Sequence, residues 1–227
     1  VPVPVIFDLF NTLLHGADEG RDQVVREMAT VLGVAPGALV EAYHDSWRDR
    51  QVRWSLTEAV RVLARGLGAD PTDAQVTAAA ELRRSFAGRV LNAVPAPTLA
   101  VLDRLRADGR QLALISNATA ETAEAWPDSP LAERFDTAVF SCAVRLVKPD
   151  PAIYRLAAER LGTDPADCVF VGDGADGELA GAAGVGMTVL RTTQYADSDP
   201  AWPGPALAHL GELPDLLRDE RSLAGDR

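Results

Sequence analysis

Residues 3–14 read VPVIFDLFNTLL. The first five form a continuously apolar, β-branched run, the pattern of a strand covered on both faces in a parallel sheet, and the run ends at a charged residue, Asp8. Open parallel sheets bind ligands in the crevice beyond the carboxyl ends of their strands, so Asp8 stands where chemistry is done. A strand-end Asp is also an ordinary turn or cap residue, and the choice between the two depends on what the other strand ends carry.

Comparable apolar runs follow at 111–115, 137–140, 168–171 and 187–190, with helical segments between most of them. This alternation predicts an α/β fold, a parallel sheet core flanked by helices. The chain between the first two runs is far longer than one crossover helix needs, so something is inserted there. The insertion reads as α-helical. Val24, Val25, Met28 and Leu32 recur at helical spacing before a stop at Gly33. Ser55 and Glu58 form a capping box, and a further helix is expected over 72–91. The boundaries are a core of residues 1–15 and 93–227 and a helical insertion of 16–92. The helix expected over 97–107 then returns the chain to the sheet, and a short one is expected near 213–217.

The chain of 227 residues is long enough to bury a substantial core, and its 47% hydrophobic and 24% charged composition is that of a globular protein. A formal net charge of -11 repels nucleic acid and anionic lipid, and no basic patch counters it. Cys142 and Cys168 sit in apolar stretches without a C-x-x-C partner and read as buried, reduced thiols. The opening residues lack a signal-peptide pattern, and no apolar run approaches the roughly 20 residues of a membrane span. A cytoplasmic protein, monomer or homodimer, is expected.

The other strand ends carry polar groups as well. The second run leads into Ser116-Asn117, a hydroxyl and an amide suited to hold an anionic oxygen, or equally to cap a helix. Lys148 precedes the proline-started segment containing Ile153, Tyr154 and Leu156, where a lysine is ordinarily a solvated surface residue. The fourth run leads into Gly172-Asp173-Gly174-Ala175-Asp176-Gly177-Glu178. Carboxylates so closely spaced repel unless a cation intervenes, and Mg2+ takes such oxygen ligands; an acidic surface loop is the alternative.

Taken together, FDLFNTLL at Asp8, LISNA at Ser116, VKPDPAIY at Lys148 and FVGDGADGE at Asp173 resemble, in order and spacing, the four motifs of the haloacid dehalogenase-like superfamily. The resemblance implies a Rossmann-like sheet with the helical insertion acting as a cap over the site. It also implies roles. Asp8 would be the nucleophile of a covalent aspartyl intermediate. Thr12 and Ser116 would position oxygens of the transferring group, and Lys148 would neutralise charge. Mg2+ would be held by Asp8, the main-chain carbonyl of Phe10 and Asp173, with Glu178 or Asp176 acting through water.

Two departures pull apart. Phosphatases of this superfamily carry an acid two residues after the nucleophile, where this chain has Phe10; an aromatic there, with Asn117 and Tyr154, resembles the L-2-haloacid dehalogenases. Those enzymes work without metal and have neutral polar residues where Asp173 stands. Three classes follow: an Mg2+-dependent hydrolase of a small phosphorylated metabolite, a metal-independent dehalogenase-like hydrolase, and a binding or regulatory protein weakened by the missing acid. Substrate choice falls to the insertion, where residues 43–54 concentrate arginines and aromatics suited to an anionic or planar substrate. Arg50 and Trp54 are the candidates there, although such a run is also an ordinary solvated helix face; His15 is a weaker one. A missing general acid costs about 10²- to 10⁴-fold in rate. Phe10→Asp should therefore raise turnover of an alkyl phosphate at least about tenfold; unchanged turnover would show that Phe10 is not what limits such substrates.

Overall fold

The structure, a computed structural model, describes residues 2–16 and 18–218. The sequence-derived boundaries take in Val1, Ala17 and 219–227, which lie outside these. Six strands, β1 (Val5–Phe7), β2 (Leu112–Ser116), β3 (Thr137–Phe140), β4 (Val169–Gly172), β5 (Thr188–Thr192) and β6 (Ala206–Leu207), pair in parallel in the order β3-β2-β1-β4-β5-β6. The chain builds outward from β1 through β2 to β3, then returns to the other side of β1 for β4. The carboxyl ends of β1, β2 and β4 thus flank the switch point, where such sheets open a crevice. The first strand is two residues shorter than the run predicts: Pro4 lacks an N–H for the ladder, although its carbonyl still accepts from Val169 N at 3.0 Å.

Strand periodicity divides the sheet core. Val5, Phe7, Leu112 and Leu114 face one apolar layer, Ile6, Ala113 and Ile115 the other.

Between β1 and β2 run α1 (Asp18–Leu32), α2 (Pro36–Asp45), α3 (Trp47–Val52), α4 (Leu56–Gly66) and α5 (Asp73–Asn92). They bury their own apolar cluster, including Val25, Met28, Leu39, Val60 and Ala79. Their ends follow the local signals. Ser55 and Glu58 cap α4 reciprocally, Thr72 and Gln75 do the same for α5, and Gly33 takes the left-handed conformation after α1. After α6 (Ala96–Ala107), the remaining helices are α7 (Ala120–Ala125), α8 (Ser141–Val144), α9 (Pro151–Leu161), α10 (Glu178–Gly184) and α11 (Leu213–Leu216). Helices α6 and α11 lie on the first sheet face, α9 and α10 on the second.

A buried ion pair fastens the inserted helices to the sheet half. Arg83 of α5 donates to Glu121 of α7 at 2.7 Å, and Tyr43 of α2 donates to the same carboxylate oxygen at 3.2 Å. This places the insertion beside the segment that follows β2. Cys168 is buried and Cys142 half-buried, and burial pushes both thiols up to about 11. Among the described residues, no helix is long and apolar enough to cross a membrane.

The sheet core should dominate stability. Leu114→Ala, at a fully buried β2 position, should cost about 2–5 kcal/mol in urea unfolding. Ser55→Ala, which removes an exposed cap, should cost about 0.5–2 kcal/mol; a larger loss at Ser55 than at Leu114 would reverse this order.

Candidate active site

The strand ends converge. Asp8 follows β1, Ser116 ends β2, Asp173 follows β4, and Lys148 comes from the loop ahead of α9. The Lys148 ammonium donates to Asp8 Oδ1 and to Glu178 Oε2, each at 2.5 Å. Carboxylate oxygens of Asp8, Asp173 and Glu178 lie within 4.8 Å of one another, and all three residues are buried.

Three carboxylates face one ammonium, a formal excess of two negative charges with little water to screen it. The titration behaviour follows. Burial and then the Asp8 charge push the Glu178 carboxyl up to about 8, despite Lys148. Burial likewise lifts Asp8 above its usual range against the pull of Lys148. For Lys148 burial works the other way, yet its two carboxylate partners outweigh it and hold the ammonium protonated.

Glycine makes the packing of Glu178 possible. A Cβ on Gly172 would lie 2.1 Å from Glu178 Oε1, so only glycine at the end of β4 lets that carboxylate fold back under the strand. Glu178 Oε1 also accepts from Gly174 N at 3.1 Å, and Tyr154 of α9 donates its hydroxyl to the Glu178 main-chain oxygen at 2.9 Å. Of the two acids the sequence left open, Glu178 joins Asp8 and Asp173. Asp176 sits in a left-handed turn (φ 56°), exposed, accepting from Asn117 Nδ2 at 3.0 Å.

Several expected contacts take a different form. Thr12 is fully buried and donates to Asp8 Oδ2 at 2.9 Å, so it orients the Asp8 carboxylate and does not line the cleft. Asn117 does line the cleft, but its amide is engaged in clamping loops: Oδ1 accepts from Lys148 N at 2.8 Å, and Nδ2 donates to Lys148 O and to Asp176. Ser116 Oγ, by contrast, is buried in the cleft wall and has no partner among the described residues, which leaves it available to a bound group.

The cleft measures about 260 Å³, with Asp8, Phe10, Ser116 and Lys148 on one side and Arg21 and Trp47 from the insertion on the other. A recess of about 30 Å³ shares Phe10, Arg21 and Trp47 with it and adds Arg83 and Phe86. The expected Arg50 and Trp54 are not among the cleft residues. Arg50 is buried over the Tyr43 ring, 3.5 Å from its centroid, with Nη2 donating to Tyr43 O at 2.7 Å. Trp54 lines a separate groove with Val52, Cys142 and Arg145. His15 packs against the Tyr195 ring and is absent from the cleft wall. Trp47 belongs to the aromatic and basic stretch that pointed to Arg50 and Trp54; Arg50, one turn further along α3, has its guanidinium against the Tyr43 and Trp47 rings, and Trp54 lies beyond the end of that helix. The signal for Arg21 was only a basic residue in the first turn after the opening motif.

A model of haloacid dehalogenase-like hydrolases matches residues 5–186. An (S)-2-haloacid dehalogenase 4A from Burkholderia cepacia is 29% identical, over 93% of each protein. A glyceraldehyde 3-phosphate phosphatase from Methanopyrus kandleri is 27% identical, over 86% of this chain and 87% of its own. Among solved structures, a 2-haloacid dehalogenase from Pseudomonas syringae pv. Tomato superposes with a TM-score of 0.71 at 24% identity, covering 96% of this chain and 99% of that one. A phosphatase from Thermococcus onnurineus gives 0.69 at 23%, covering 95% and 97%. With three strand ends and the Lys148 loop gathered at one crevice and the family match spanning most of the sheet, the chain belongs to the haloacid dehalogenase-like hydrolases.

Proposed function

We propose that this hydrolase is Mg2+-dependent and removes a phosphoryl group from a small anionic metabolite through a covalent intermediate on Asp8, with residues 16–92 acting as a cap over the site. The observation that carries the reading is the buried Asp8–Asp173–Glu178 cluster, whose negative charge a single lysine does not balance. An all-oxygen, carboxylate donor set suits Mg2+. Asp8, Asp173 and the main-chain carbonyl of Phe10 would hold the ion, with Glu178 acting through water. When bound, it supplies the positive charge that lets a phosphate dianion approach a carboxylate.

The protein groups do the rest. A carboxylate oxygen of Asp8 attacks phosphorus, the bond to the leaving oxygen breaks, and water then cleaves the aspartyl phosphate to free phosphate and the original carboxylate. Thr12 and Lys148, each on one Asp8 oxygen, hold that carboxylate in place. The unpartnered Ser116 hydroxyl meets a phosphoryl oxygen. Phe10 donates no proton, so the leaving group must depart easily or carry its own proton source. Arg21 and Trp47 face the remainder of the substrate, and cation and ring together suit an anionic or planar body.

One observation favours a second reading. Phe10 lines the cleft, and a halide leaving group needs no acid. In that case Asp8 attacks carbon and a 2-haloacid is the substrate, as the name of the Burkholderia cepacia relative suggests. Against it stands Asp173, a buried acid without a task in metal-free dehalogenation; Tyr154 does not weigh either way, since its hydroxyl is occupied with the Glu178 main chain.

A paired screen of phosphate esters and 2-haloacids, with Mg2+ and with EDTA, separates the readings. The expected result is phosphate release that needs Mg2+ and vanishes in Asp8→Asn; EDTA-insensitive halide release would establish the second reading instead.

Charge excess also predicts a pH dependence. The Glu178 pKa rises from the ordinary 4.5 to about 8 on folding, so the folded chain keeps a proton that the unfolded chain has released. The stability this proton confers is fully present below about pH 4.5 and is lost as pH climbs to about 8. In EDTA, the thermal midpoint should fall across that window, and both Glu178→Gln and saturating Mg2+ should flatten the fall. A midpoint in EDTA that holds steady, or rises, from pH 5 to 8 would contradict the charge account.

A further inference from the structure

Asp173 is 1% exposed, and every hydrogen bond to its carboxylate matters to where its oxygens point. Its Oδ1 accepts from Ala175 N at 3.2 Å within the same loop. The other oxygen, Oδ2, accepts from a residue far along the chain: Ser198 Oγ, at 2.6 Å. Ser198 N also donates to the Asp173 main-chain oxygen at 3.0 Å, so one serine grips this acid at both side chain and backbone.

Ser198 lies in the segment between β5 and β6, which is itself anchored. Arg191, in β5, donates through Nη1 to Asp197 Oδ1 at 2.7 Å and to Asp199 O at 2.8 Å, pinning the residues on either side of Ser198. Close approach needs glycine opposite. Gly174 has φ +97°, and a Cβ there would lie 2.5 Å from Asp199 Cβ. The glycine-rich loop after β4 and the Arg191 anchor thus both serve to bring Ser198 onto Asp173.

We propose that Ser198 is a positioning residue for Asp173, holding that carboxylate in the orientation in which it ligates a divalent cation beside Asp8; this rests on the Mg2+-dependent reading above. Two like-charged carboxylates a few ångströms apart tend to turn away from each other. A donor on Oδ2 sets the carboxylate plane and offsets part of the charge, leaving lone pairs on both oxygens. The Ser198 residue itself is exposed, so loss of its hydroxyl has a small effect on the core and a direct effect on Asp173. Hydrogen bonds to metal-ligating groups typically change affinity by about 10- to 100-fold when removed.

The test is calorimetric titration of Mg2+ into the full chain, wild type, Ser198→Ala and Ser198→Thr, with thermal unfolding of each in EDTA. The expected result is an Mg2+ Kd raised about tenfold or more in Ser198→Ala, near wild type in Ser198→Thr, with like midpoints in EDTA. Equal Mg2+ affinity in wild type and Ser198→Ala overturns the role of Ser198 while leaving the cation site standing. Failure of Ser198→Thr to restore affinity also overturns it, because the hydroxyl is then not the cause. A wild-type chain that takes up no Mg2+ overturns the cation reading and this inference together. If Ser198→Ala unfolds in EDTA, Asp197→Asn, which loosens the Arg191 anchor, carries the same test, with weaker Mg2+ binding expected and unchanged binding overturning it.

Discussion

The Lys148 ammonium, shared between Asp8 and Glu178 in a buried pocket, is the contact on which the candidate site depends. An ammonium can balance one carboxylate, and here a third, Asp173, stands within reach of the other two. Buried charge is tolerated only when paired. The surrounding architecture serves to hold this imbalance together. Thr12 fixes one Asp8 oxygen, Gly172 gives Glu178 room to fold back, Tyr154 holds the Glu178 main chain, and Asn117 ties the Lys148 loop to the loop after β4. The cation proposed for this site would complete the charge balance that these contacts hold in place.

The sheet topology makes this convergence possible. Because β1 lies between β2 and β4, the loops that follow all three strands open at one crevice, although their residues are widely separated in sequence. The inserted helices then supply the far wall of the cleft through Arg21 and Trp47, and the Arg83–Glu121 pair fastens them in place. The division of labour is physical. Rigid strand ends place the Asp8 carboxylate, while helices of a separate apolar cluster line the other side of the cleft.

Much of this was legible in the chain itself, for identifiable reasons. Asp8, Ser116 and Asp173 could be located because each closes or follows an apolar run that reads as a strand, Lys148 only through the order and spacing of the four motifs, and the α4 cap at Ser55 because its chemistry is local. The choice between Asp176 and Glu178 could not, since it turns on left-handed turns at Gly174, Asp176 and Gly177 that a spacing does not reveal. Arg50 and Trp54 were misplaced because their surroundings are set by tertiary contacts: Arg50 is held over the Tyr43 ring and by Tyr43 O, and Trp54 lies past the end of α3 against a separate groove. The two-residue β6 is too short to leave a pattern, and Ser198 was invisible because its importance comes from an anchor made in three dimensions.

The central claim is that the buried acids form a cation site next to the nucleophile. Anomalous diffraction from crystals equilibrated with Mn2+, a scattering substitute for Mg2+, tests it most directly. The account predicts one strong peak bounded by the Asp8 and Asp173 carboxylates with Glu178 close by. A cleft without a peak at saturating Mn2+, with Lys148 alone still bridging Asp8 and Glu178, would contradict it.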